Sequence, residues 1–296
     1  MSERQKTPRR RAGGILATLK QLGLFRILVF LSFPVALLVI AFWETSHEPP
    51  IFDAQVHYNQ ESWHKVSPTA ILNTARELNV PWLLVGSTPN EGTWKLKDTT
   101  TPRIIRMFIP QHTQDDRDTW FNDERILSYM EQEISRGVYA GIGEFFLFDG
   151  QVQTPVVQRM VELATNRKLV LHARSDPNAI EQLFEMGPSV RILWAHAGMF
   201  TGPEKVGELL NRYPNLWVEI SHRIDIAPNG KLNPKWRDVM LRFPNRFLLG
   251  SGTYRTEYWY QFRYIHTRYR EWLMELPQEP REKIAYRNGL SLFGMY

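Results

Sequence analysis

Eight short apolar runs, each followed by a helical segment, predict an α/β chain folded as a (β/α)8 TIM barrel. Two further observations support that class. Most runs are apolar throughout rather than alternating, as parallel strands covered by helices are. Polar residues collect at their C-terminal ends, where such a barrel builds its active site. An open doubly wound sheet would place a Gly-rich phosphate loop after its first strand, but that strand runs into Asp53-Ala54-Gln55-Val56-His57.

The strands are read at 51–57, 82–87, 104–109, 140–147, 169–174, 191–196, 216–221 and 246–250. Between them, Ser67-Pro68, Thr154-Pro155, Asp176-Pro177, Gly202-Pro203 and Asn233-Pro234 each set a capping residue before a proline at the first helical position. Gly187 can close the third of these helices, and a further helix is read over 118–136 with Gly137 as its stop. The aromatic-rich stretch 253–272 reads as the loop and helix after the eighth strand, packed on the barrel, with Tyr254 and Arg255 nearest the strand end.

The front of the chain is different. Arg4, Lys6, Arg9, Arg10, Arg11, Lys20 and Arg26 against Glu3 make the first 26 residues +6, so of the net +5 the remainder carries −1. The basicity therefore belongs to an arm, and a nucleic-acid partner is not expected. Residues 27–43 are a charge-free apolar run of 17 residues, the short end of the spanning range of about 17–25. The positive flank before it predicts a single-pass anchor with the N-terminus in the cytoplasm and the rest extracytoplasmic, periplasmic in a Gram-negative cell. A signal peptide cleaved after Val39-Ile40-Ala41 is the competing reading, and bulky Phe42-Trp43 argues against it. The expected organisation is a basic arm at 1–26, an anchor at 27–43, a linker at 44–50 and the barrel at 51–296, with the oligomeric state left open. The chain has no cysteine, which excludes disulfides, thiolate ligands and a cysteine nucleophile.

Period-two alternation puts Asp53, Gln55 and His57 on one face of the first strand. If that face points inward, Gln55 and His57 reach the barrel mouth. Glu144 comes from the fourth strand, His172 and Arg174 from the fifth, and His196 from the sixth. His57, His172 and Glu144, with Gln55 beside them, supply nitrogen and oxygen donors for one divalent metal, zinc before manganese, with a position left for water. Arg174, Arg223 and Arg255 are placed to grip an anionic substrate. Glu144 and Arg174 also read as an ion pair inside the upper barrel.

The segments IFDAQVH, GIGEFF, LVLHARS, WAHAG, NLWVEIS, FLLGSGTY and RNGLSLFG, in this order over about 51–296, resemble the amidohydrolase superfamily, in particular its branch of metal-dependent hydrolases and decarboxylases. The resemblance implies a first-strand pair of metal-binding histidines, a metal-binding histidine after the fifth strand, a sixth-strand histidine nearby and an eighth-strand aspartate that handles the proton of a metal-bound water. His57, His172 and His196 match. Gln55 stands in place of the first histidine, and Gly252 in place of the aspartate. Losing that aspartate removes a ligand and a general base together. Glu144, or Glu219 and His222 at the end of the seventh strand, are the candidates to stand in.

Two functions follow. One is a membrane-anchored, metal-dependent hydrolase or related decarboxylase. His196 and Glu144 would be catalytic, with Arg174, His222 and Arg255 on a small, anionic substrate and His57, His172, Glu144 and Gln55 on the metal. The other is a barrel that has lost catalysis and binds a ligand or partner. A metal-independent acid–base site of Glu144 and histidine is a third possibility.

Overall fold

The computed structural model describes residues 48–113 and 115–296. Its eight parallel strands lie side by side in chain order: β1 (Phe52–His57), β2 (Trp82–Gly86), β3 (Arg103–Phe108), β4 (Gly141–Phe146), β5 (Val170–Arg174), β6 (Arg191–Trp194), β7 (Leu216–Glu219) and β8 (Phe247–Leu248). A bridge between Asp53 and Leu249 returns the last strand to the first, so the sheet is a nearly closed (β/α)8 barrel. The last strand is shorter than the sequence suggests. Residues after Leu248 leave the ladder and stitch themselves to β1 instead. Gly252 N–H donates to the Gln55 carbonyl at 2.8 Å, Ser251 N–H to Asp53 Oδ1 at 2.9 Å, and His57 N–H to Thr253 Oγ1 at 2.9 Å.

The helices α1 (Pro68–Glu77), α2 (Gly92–Lys95), α3 (Glu124–Ser135), α4 (Pro155–Arg167), α5 (Pro177–Met186), α6 (Pro203–Arg212) and α7 (Pro234–Arg242) separate the strands. All five proline starts are where the sequence puts them. Ser67, Thr154, Asp176 and Asn233 each accept a first-turn N–H, and such caps are worth about 1 kcal/mol. The helix read over 118–136 begins later. Trp120 and Phe121 are buried in a short 3-10 turn, and Asp123 caps α3 by accepting from Arg125 N–H.

After the barrel come α8 (Thr256–Tyr260), α9 (Phe262–Leu273), α10 (Gln278–Glu282) and α11 (Asn288–Leu292). The last closes the barrel floor. Leu290 and Leu292 join Phe52, Ala54, Leu84, Met107, Val170, Leu193 and Leu248 in an apolar plug. Gly289 lies so close to the Phe52 ring that a Cβ there would strike it. With one end plugged, polar chemistry is confined to the other.

One local break decides which residues reach that end. The register between β1 and β2 slips between Asp53 and Val56. A bulge shifts the alternation by one residue. Phe52 and Ala54 therefore face the plug, while Gln55 and His57 reach the mouth. Contrary to the expectation from simple alternation, Asp53 does not share their face. It is fully buried with its Oδ2 3.2 Å from His266 Nε2 on α9.

Residues 1–47, which include the expected basic arm, the 27–43 anchor and most of the linker, lie outside the described residues. Among the described residues no helix is long and apolar enough to cross a membrane. Pro49–Tyr296 form one unit.

Asp53 holds the seam between β1 and the segment after β8, and it does so fully buried. Asp53→Ala is expected to cost about 3 kcal/mol in urea unfolding, because it strands the Ser251 N–H and His266. Thr154→Ala, which removes one half-buried cap that also donates to the Phe121 carbonyl, should cost about 1 kcal/mol. An Asp53 loss no larger than the Thr154 loss would show that the seam closes without the carboxylate.

Candidate active site

Glu144 sits at the centre of the mouth because of its neighbour. Gly143 has φ +127° and packs against the His172 backbone, where any Cβ would meet the carbonyl oxygen. Only glycine takes that conformation at that distance. The β4–β5 register slips between Gly143 and Phe145, so Glu144 leaves the ladder and turns inward.

Its carboxylate then collects three N–H groups. His196 Nε2 lies 3.0 Å from Oε1, while His57 Nε2 at 3.0 Å and Gln55 Nε2 at 2.6 Å both meet Oε2. A carboxylate only accepts, so each nitrogen facing it carries a hydrogen. Burial alone would raise the Glu144 pKa. The attraction of His196 and the hydrogen bonds from His196 and His57 outweigh it and hold the group well below the usual carboxylate range. His196 is the converse case. Burial opposes its charge, but Glu144, and then Glu219, raise its pKa above the ordinary value. Its Nδ1 lies 3.1 Å from the Ser221 carbonyl, so both ring nitrogens donate and the ring is an imidazolium.

A second layer fixes the first. Glu219, at the end of β7, accepts the His196 backbone N–H at 3.2 Å and also the Ser221 N–H. Burial pushes it up to about 7 against the attraction of His196. Ser221 Oγ donates to Gln55 Oε1 at 2.5 Å, which spends the Gln55 carbonyl oxygen. His196 itself lies in the left-handed region at φ +54°, where the chain turns off β6. A side chain held there is over-determined by its surroundings.

His172 is buried below this group. Its Nε2 has no partner among the described residues, and burial lowers its pKa to about 3, so the ring is neutral. His222 is neutral too, pushed down to about 4 by burial and then by repulsion from His196. Its Nε2 donates to the Gly252 carbonyl at 3.0 Å, and its ring packs on those of Tyr254 and Tyr258. A side chain at 252 would collide with that ring.

Two of the three arginines stay at the mouth. Arg174 lies over the Phe146 ring at 4.6 Å and has no carboxylate partner among the described residues. The ion pair read between Glu144 and Arg174 does not form, because Glu144 is taken by His57 and His196. Arg255 is exposed at the start of α8. Arg223 is buried, donates to the carbonyls of His196, Ala197 and Thr201, and pairs with Asp225. It is a brace for the β6 turn and not a substrate grip.

Two cavities open here. One, of about 940 Å3, has His57, Glu144, Arg174, Tyr254 and Arg255 in its wall. The other, of about 950 Å3, shares Arg174 and Tyr254 and adds His222. Asn59, Gln111, His112 and Arg117 also line the first. Sequence reading missed all four. They sit beyond strand ends without a pattern, and only the fold brings them to the mouth.

Gln55, His57, His172 and Glu144 are thus gathered in one place, but not as a coordination shell. His57 presents N–H to Glu144, Gln55 has spent its carbonyl on Ser221, and position 252 offers backbone alone. Among the described residues no group of three or more His, Cys, Asp or Glu side chains is spaced to hold a metal ion. The donor set as arranged does not fit a divalent metal, zinc or manganese. It balances its charge internally, Glu144 against His196.

The amidohydrolase family model matches residues 106–295. No curated protein matches the chain. Among solved structures it is similar to a probable 2-pyrone-4,6-dicarboxylic acid hydrolase from Acinetobacter baumannii with citric acid bound, at 15% identity and a TM-score of 0.56, over 82% of this chain and 99% of that one. It is also similar to a dihydroxybenzoic acid decarboxylase from Polaromonas sp. JS666 with bound manganese and 2-nitroresorcinol, at 9% identity and a TM-score of 0.53, over 83% and 97%. At such identities the likeness to these structures speaks for the barrel alone.

The neutral His172 makes stability depend on pH. In the fold the ring stays neutral down to about 3, whereas the unfolded ring takes a proton near the ordinary 6.5. Between those values the unfolded state binds more protons, so stability falls as pH falls. The slope from this one group is about 1.4 kcal/mol per pH unit. His172→Leu should flatten the stability curve between about pH 5 and 6.5 by that slope, read by urea unfolding. Parallel curves for the two proteins would mean that His172 does not carry the effect.

Proposed function

The chain belongs to the amidohydrolase family, and from that premise we propose that it is a hydrolase acting on a small carboxylated substrate bound at the barrel mouth. The observation that carries the reading is the buried Glu144 carboxylate, bridged to His57 and His196 beside a cavity that Arg174 also lines.

The roles follow from the bonds. A carboxylate has about four acceptor sites, and three N–H groups occupy those of Glu144 described above. The remaining site can hold a water from the cavity and take its proton in the transition state. His196 is charged and His57 donates to the same carboxylate, so a proton accepted there has a route back to a leaving group. Arg174, a guanidinium without a carboxylate partner among the described residues, grips the substrate carboxylate, and Arg255 lies on the wall of the same cavity. His222 offers a neutral acceptor, since its Nε2–H is committed to Gly252. No step passes through a metal: of the four expected ligands only His172 keeps a ring nitrogen without a partner among the described residues, while Gln55, His57 and Glu144 are bonded to one another.

A carboxylated ring ester is the first compound to assay, since the Acinetobacter baumannii protein is named for hydrolysing a pyrone dicarboxylate. Simple esters and amides of dicarboxylic acids follow. Turnover is expected to survive exhaustive dialysis against a chelator. Glu144→Gln should lower kcat by roughly 10²–10⁴-fold. Arg174→Gln should act mainly on KM. Equal kcat for Glu144→Gln and the parent protein would remove the carboxylate from the mechanism. Activity lost on chelation and restored by zinc or manganese would overturn the metal-free reading. A protein that binds these acids and turns over none of them is a binding module.

A further inference from the structure

The cavity of about 950 Å3 on the side of β7 and β8 shares Arg174 and His222 with the proposed hydrolytic site, and the rest of its wall has no role there. Its wall differs from that of its neighbour. Ile224, Ile226, Tyr258, Tyr264 and Ile265 line it, from the segment after β7 and from α8 and α9. The charged groups in it are mostly spent. Arg223 is tied to Asp225, and Arg268 to Glu271. Arg174 has no such partner among the described residues, and it stands, with Tyr254, in the walls of both cavities. At the lip Ile224 is 86% exposed and Tyr264 64%. Large apolar side chains left in water around a cavity are what the apolar body of a ligand would cover.

We propose that this cavity is an acyl-chain chamber, and that the ligand is an amphipathic monocarboxylate with an extended apolar chain. The head lies on Arg174. The chain runs past Tyr258, Ile265 and Tyr264 and leaves the cavity beside Ile224. This goes beyond the functional reading and rests on its use of Arg174 as the anion anchor: the chain lies in the cavity that Glu144 does not line, so the monocarboxylate is a ligand of the mouth and not the small substrate hydrolysed there. It adds a length requirement. A short acid satisfies Arg174 and leaves the chamber in water, whereas each methylene buried there tightens binding roughly fourfold. An alcohol of the same length fills the chamber and leaves the guanidinium without its anion. The charged group and the apolar wall therefore have to be satisfied by one molecule.

The test is equilibrium binding of a dansyl-labelled undecanoic acid to the full-length protein, read by fluorescence and displaced by unlabelled competitors. Dodecanoate should displace the probe at concentrations at least roughly a hundredfold below those needed for acetate, the factor that burial of only three to four of its methylenes gives at roughly fourfold each. Dodecanol should compete roughly tenfold more weakly than dodecanoate. Ile224→Glu, at an exposed position that folding does not use, should weaken the probe roughly tenfold. Arg174→Gln should erase the preference for acid over alcohol. Acetate matching dodecanoate, dodecanol matching dodecanoate, or unchanged binding in Ile224→Glu would each overturn the proposal. Binding is read without turnover, so failure here is distinct from failure of the hydrolase reading, which shows in turnover and its response to Glu144→Gln and to chelation.

Discussion

The mouth of this barrel is organised by one buried carboxylate. Glu144 is 7% exposed, and its oxygens take N–H groups from β1 and from the turn after β6. A lone carboxylate at that depth would be neutral or costly to keep. The charge survives because His196 supplies the opposite one at 3.0 Å and because hydrogen bonds satisfy both oxygens. Everything around it serves that pair. Glu219 and Ser221 hold His196, Ser221 also holds Gln55, and Arg223 braces the turn on which His196 rides. Removing any one leaves a buried donor or acceptor without a partner, which costs more than the bond itself contributes.

The backbone had to be bent twice to assemble this. Ideal β alternation would have kept Gln55 facing away from the interior, since Ala54 already packs in the floor plug. The slip in β1 brings Gln55 and His57 to the mouth together. The slip in β4, with Gly143 at positive φ against the His172 backbone, brings Glu144 to meet them. Bulges beside a site re-aim side chains at the expense of ladder bonds. Here the lost ladder bonds near β1 are replaced by the Asp53, Gln55 and His57 bonds to residues 251–253.

This explains which features could be read from the sequence. The strand order, the five proline-initiated helices and the barrel were legible because they rest on local signals: an apolar run, a cap, a proline. The gathering of Gln55, His57, Glu144, His172 and His196 was legible as strand-end residues. How they bond to one another was not, because bulges carry no sequence signal that separates them from regular strand. Arg223 reads like Arg174, a cation just past a strand, and only the carbonyls of His196, Ala197 and Thr201 around it show that it is a brace. The helix read over 118–136 failed for a related reason. Trp120 and Phe121 lie buried in a 3-10 turn, and Asp123, with extended backbone, caps a new helix that starts at Glu124.

The two departures from the family pattern belong to the same arrangement. At position 55 the glutamine amide donates to Glu144 and accepts from Ser221 within one residue. A carboxylate there would set two anions against each other. At position 252 the backbone runs at φ +62°, and its carbonyl takes the His222 Nε2–H from a ring that fills the volume a side chain would need. The glycine and His222 are therefore complementary: a side chain at 252 displaces the imidazole, and the imidazole excludes the side chain. Gln55 closes one side of the Glu144 carboxylate and His222 covers the other side of the mouth. What the donors lose for a metal they gain as a self-contained network of opposite charges and satisfied hydrogen bonds. Such a network can hold and move a proton with the groups already in it.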